Sequence, residues 1–99
     1  MFEKVRDKLR ELIRTLDYVM TIHGEEEMEN DGLSIFDIEN AVLTGEIIER
    51  QQDSETAEFK YLVAGKTLDE RSIVVVTKIS LTGKLVIITV YREEDEYEN

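Results

Sequence analysis

The stretch Ser72-Ile73-Val74-Val75-Val76-Thr77-Lys78-Ile79-Ser80, followed by Leu81-Thr82-Gly83 and then Lys84-Leu85-Val86-Ile87-Ile88-Thr89-Val90-Tyr91-Arg92, decides the fold. Two β-branched runs flank a short polar turn containing Gly83, the pattern of an antiparallel hairpin with strands over Ser72–Ser80 and Lys84–Arg92. Within them, Ile73-Val74-Val75-Val76 and Leu85-Val86-Ile87-Ile88 are apolar on both faces, so these strands belong at the centre of a sheet or beneath cover on both sides. Working back along the chain, Glu46–Gln52 and Glu58–Gly65 also have strand character and are separated by Asp53-Ser54-Glu55-Thr56. The expectation is a four-stranded antiparallel meander.

Before Gly45 the period changes to that of helices. Phe2, Val5, Leu9, Leu12, Ile13 and Leu16 recur at helical spacing and predict an amphipathic helix over residues 2–16. Its outer side pairs Glu3 with Arg6, Asp7 with Arg10 and Glu11 with Arg14, which makes the arginine row a solvated face more readily than a nucleic-acid stripe. Thr21 can cap a second helix running to about Asn30, with His23 in its first turn and Glu25-Glu26-Glu27 in its body. Ser34, three residues before Asp37, opens a third helix as a capping box, and Gly45 is its expected stop. The fold class is therefore α+β, with two to three N-terminal helices packed on a C-terminal antiparallel sheet. A single domain over residues 1–92 and an acidic disordered tail over residues 93–99 are expected. Helices could cover one sheet face and a second subunit the other, or the first and third helices could lie on opposite faces.

Composition narrows the chemistry. A chain of 99 residues buries roughly 60–65% of its unfolded surface and supports one core. With no cysteine, thiolate catalysis, disulfides and cysteine-based metal sites are excluded, and the single histidine, His23, excludes a multi-histidine centre. No cofactor is called for. No apolar run reaches the ~20 residues of a membrane span, and the charged residues at the N-terminus do not resemble an export signal, so a cytoplasmic location is expected. The net charge of −11 is unevenly placed: +2 over residues 1–16, −12 over 17–58, +4 over 59–92 and −5 over 93–99. Such a balance disfavours RNA, whose non-specific affinity comes from phosphate attraction, and suits a basic protein partner.

Three groupings could carry chemistry. His23 titrates near neutrality when unperturbed and can serve as acid or base; a structural histidine bonded to the backbone is the alternative. Glu58-Phe59-Lys60 with Asp53 has the residue types of a metal-dependent nuclease, although alternation on an edge strand gives the same triplet. Lys60, Lys78, Lys84 and Arg92, with Tyr61 and Tyr91, are the charges and stacking surfaces of an RNA-binding sheet, but strand alternation sends some of them to each face.

The segment Thr21-Ile22-His23-Gly24, then Met28, then Gly32-Leu33-Ser34, with the ending Ile88-Thr89-Val90-Tyr91-Arg92, resembles the bacterial domain-of-unknown-function family 4258 (DUF4258) over roughly residues 18–93. The layout is similar to that of RelE/ParE-type toxins and the BrnT toxins, small helix-plus-sheet domains that cleave RNA or block a target and are held by an antitoxin. The resemblance implies a RelE/ParE-toxin-like fold, a toxin–antitoxin-type setting and His23, Tyr91 and Arg92 as site residues. Lys78 is a further candidate on the phosphate. Where the family pattern carries basic residues along the second helix, this chain carries Glu27 and Asp31, which removes charge that would stabilise a scissile phosphate. The leading expectation is a toxin-like-fold domain that binds a protein partner, either an antitoxin or a basic protein. A metal-independent ribonuclease and a structural homo-oligomeric subunit are the alternatives.

Overall fold

The computed structural model describes residues 1–93, so the tail expected over residues 93–99 lies, apart from Glu93, outside the described residues. Along the chain run α1 (Glu3–Arg14), β1 (Tyr18–Met20), α2 (Ile22–Asn30), α3 (Ile35–Thr44), β2 (Glu46–Gln52), β3 (Phe59–Lys66), β4 (Ser72–Ile79) and β5 (Leu85–Arg92). The class is α+β, as expected, but the sheet has five strands in the order β1-β5-β4-β3-β2 and is mixed. β2 to β5 form the antiparallel meander, and β1 joins it parallel to β5, with Tyr18 opposite Leu85 and Met20 opposite Ile87. The four-stranded expectation missed β1 because three residues are too few to display a period of two, and its partner lies more than sixty residues downstream.

The three helices lie on one face of the sheet. Leu9, Leu12 and Ile13 of α1 and Ile38, Ala41 and Val42 of α3 share one buried cluster with Val63, Ile73, Val75, Leu85, Ile87 and Val90. This disposes of the arrangement with α1 and α3 on opposite faces. Each fully buried Leu, Ile or Val contributes about 1.5–3 kcal/mol, so this layer is the main source of stability. The step from Ile87 to Val90 in the alternation is a bulge: Val76 faces Thr89 while Thr77 faces Ile87, leaving Ile88 as the extra residue.

Local signals explain the helix ends. The Thr21 side chain accepts from the Gly24 N–H, and the Ser34–Asp37 capping box closes in both directions. Gly45 ends α3 as expected, but in extended rather than left-handed backbone. Its reason is close packing. A Cβ on Gly45 would overlap the carbonyls of Ala41 and Ala64, and one on Gly65 would overlap Ala41 itself, so α3 meets β3 backbone to backbone.

The arginine row of α1 serves this junction. Arg10 donates to the Gly45 carbonyl at 2.7 Å, and Arg6 and Arg10 reach Glu46 at 3.2 and 3.6 Å. The expected pairs along α1 give way to a clamp on the start of β2, because a guanidinium gains more from a part-buried carbonyl with a carboxylate next to it than from a single exposed neighbour on its own helix.

Candidate functional site

Strand alternation assigns the second face of the sheet. Tyr61, Val63 and Gly65 of β3 face the helices, so Lys60, Leu62, Ala64 and Lys66 face away; β4 likewise turns Val74, Val76 and Lys78 outward. In β5 the outward residues are Val86, Thr89 and Tyr91. Leu62 and Val74 are buried at the centre of this outer face, although no helix or strand among the described residues lies over them. Lysines stand toward both ends of the face. The result is an apolar middle with cationic margins, opposite in character to the helical layer, where Glu25, Glu26 and Glu29 of α2 are exposed.

At one end, charge is concentrated. Tyr61 pairs with Thr77, so Lys60 and Lys78 fall side by side on the outer face, and Lys78 Nζ meets Glu58 Oε1 at 3.2 Å. The Asp53 carboxyl is held below its usual pKa, first by the N–H groups of Glu55 and Thr56 and beyond them by Lys60 and Lys78. The residues read as a metal-nuclease pattern are thus neighbours, with the Glu58 carboxylate paired to Lys78. Among the described residues no group of three or more carboxylate, histidine or cysteine side chains could hold a metal ion.

The candidate catalytic residues are spread over the molecule. His23 is exposed in the first turn of α2, and its ring has no hydrogen bond among the described residues, so the backbone-bonded histidine is not what is found. Its neighbour Gly24 is buried against the Ile88 carbonyl, where a Cβ would stand 3.1 Å from the oxygen; the small residue after the histidine seats α2 on β5. Tyr91 pairs with Val74 on the outer face, whereas Arg92 pairs with Ile73 on the helical face. Lys78 lies opposite Val86, roughly 13 Å along the sheet from the Val74–Tyr91 pair at about 3.3 Å per residue. Lys78 and Arg92 therefore stand on opposite faces of the sheet, and His23 on α2.

The stacking platform is divided as well. Tyr61 turns to the helical side, edge-on to Phe2 at 6.3 Å, while Tyr91 is on the other face. Lys84 approaches Asp17 at 3.7 Å. Arg50, which the sequence reading did not single out, lies over the Phe59 ring at 4.4 Å and closes the β2–β3 end. Such a contact between strands cannot be read from spacing, since it needs the register.

Fold and site together define a small α+β domain whose described helices all lie on one face of the sheet. The chain belongs to the family described as Domain of unknown function (DUF4258), whose model matches residues 20–92. No curated protein and no solved structure matches it. No helix among the described residues is long and apolar enough to cross a membrane.

Proposed function

We propose that the domain is a protein-binding module of toxin-like fold that receives an apolar segment of its partner on the outer sheet face, as a toxin is held by its antitoxin. The observation that carries this reading is the apolar centre of that face, where half-buried Ala64, Val76 and Val86 adjoin buried Leu62 and Val74 and are framed by Lys60, Lys66 and Lys78. Apolar area surrounded by charge is the composition of an interaction patch. The lysines favour carboxylates beside the partner's apolar residues. A basic partner, expected from the total charge, would instead meet α2 on the helical layer.

The test is co-expression with the product of the neighbouring gene and purification of the complex with wild type and Val86→Glu. Val86 faces Lys78 across the strands, so a glutamate there gains an opposite charge and leaves the sheet intact. A complex formed by the wild type and lost in the variant is expected. Absence of a complex, or one indifferent to the substitution, removes the reading.

The alternative is a metal-independent ribonuclease, with His23 as acid or base and Arg92 or Lys78 on the phosphate. The exposed His23 favours it, since a proton-transfer group must be open to substrate. Cleavage of labelled RNA at low ionic strength that disappears in His23→Ala would support it; an unchanged rate would remove His23 from the assignment.

A further inference from the structure

The two edges of the sheet are finished differently. β2 carries Glu46, Glu49 and Arg50 and a bulge between Ile47 and Glu49, the devices that keep a free edge from pairing. β1, Tyr18-Val19-Met20, carries no charge and no bulge. The Leu85 N–H donates to the Asp17 carbonyl and the Thr21 N–H to the Ile87 carbonyl, each at 3.0 Å, so the parallel ladder to β5 uses residues 17, 19 and 21. By alternation the N–H and C=O groups of Tyr18 and Met20 point to the open edge. Along the same edge Leu16, Val19 and Ile22 are 69%, 48% and 75% exposed.

We propose that the free edge of β1 is a homodimer interface, with a second copy of this chain pairing antiparallel about a two-fold axis at Val19 to make one continuous sheet. Symmetry is what selects a second copy. The outward backbone groups sit one residue to either side of Val19, so Tyr18 and the partner's Met20 exchange both hydrogen bonds, and Met20 and the partner's Tyr18 do the same. Leu16 and Ile22 sit three residues to either side, so the same register sets Leu16 near the partner's Ile22. Side-chain faces agree, since Tyr18 and Met20 both turn to the helical layer and Val19 turns to the other side. Charge agrees too. Arg14, exposed and with no ion pair among the described residues, lies beyond Leu16; Glu25 and Glu26 lie beyond Ile22, so the basic end of α1 comes beside the partner's acidic α2 turn. This interface is independent of the outer-face reading, because edge pairing leaves both faces as they are.

The absence of native cysteine makes the test direct. At the axis Val19 and the partner's Val19 form a non-hydrogen-bonded pair, with Cα atoms about 4.5 Å apart, within reach of a disulfide. Under mild oxidation the full chain carrying Val19→Cys should convert to covalent dimer, while Gln51→Cys, on the guarded β2 edge, stays largely monomeric. Sedimentation should show a concentration-dependent dimer in the wild type. Val19→Lys, which sets like charges against each other at the axis, should be monomeric with an unchanged circular dichroism spectrum. A wild type that is monomeric at every concentration, a dimer that persists in Val19→Lys, or equal crosslinking of the two cysteine variants would overturn the proposal.

Discussion

Asp37 shows how one side chain can join distant parts of the chain. Its carboxylate accepts from the Ser34 N–H and, 31 residues away, from the Leu68 N–H, while Arg71 approaches at 3.9 Å. Burial alone would raise its pKa, but the bonds from Ser34 and Leu68, helped by Arg71, outweigh burial and hold it below the usual carboxylate range. A depressed folded-state pKa means a contribution present above the unfolded value, near 3.9, and lost as pH falls through the folded one. Acid unfolding of the wild type should therefore include a component below about pH 4 that is missing in Asp37→Asn. At neutral pH, Asp37→Ala should cost about 1–3 kcal/mol in denaturant unfolding, the price of the unpaired N–H groups left behind. The sequence revealed half of this: Ser34 and Asp37 at capping-box spacing were legible, but Leu68 was not, since no local pattern ties a loop to a helix start. Glu70 offers the opposite sign. It is exposed with φ of 71°, in the left-handed region, and Glu70→Gly should stabilise by about 1 kcal/mol, read as a shifted midpoint with unchanged m-value.

Elements meet here through small residues and single bonds. The backbone approach of α3 to β3 leaves no room at Gly65, so Gly65→Ala must push the helix off the strand and should destabilise by about 1–3 kcal/mol, the usual range for overpacking. β1 is tied to α3 by the Tyr18 hydroxyl, which donates to Glu39; burial first, and then this carboxylate, push the phenol up to about 12. A raised folded-state pKa gives stability that is complete below the unfolded value, near 10, and lost as pH rises from there toward 12. Alkaline denaturation curves should accordingly flatten in Tyr18→Phe. Element existence was largely legible: all three helices and four of the strands fall within a residue or two of where spacing and caps put them. β1 was not, because its pairing with β5 is a property of the closed sheet and not of its own three residues. The arginine clamp on Glu46 escaped for a related reason, as helical spacing reports neighbours on α1 and says nothing of β2.

For the molecule as a whole, one buried cluster draws side chains from α1, α3, β3, β4 and β5, with α2 set against it through Met28. Unfolding should therefore be a single transition, with tyrosine absorbance and far-ultraviolet circular dichroism coinciding; separate midpoints would mean that residues 1–92 are not one cooperative unit. The apolar character of β4 and β5 on both faces called for a central place in the sheet or for cover on both sides; both strands are interior, and the described helices lie on one face, which left the choice of face to be found. That choice could not be read from the sequence, because alternation distinguishes two faces without saying which one the helices take. The candidate residues show the same limit: Tyr91 and Arg92 are adjacent in sequence and therefore opposed in space. One consequence concerns synthesis. β5, the last of the described elements in chain order, carries β1 along one side and α2 over Ile88, and no earlier strand can stand in for it. A chain halted before Leu85 would leave β1 and α2 without the strand they lie against, while α1 could already rest on α3, so the order in which the ribosome delivers this domain runs against the order in which its second and third elements can settle.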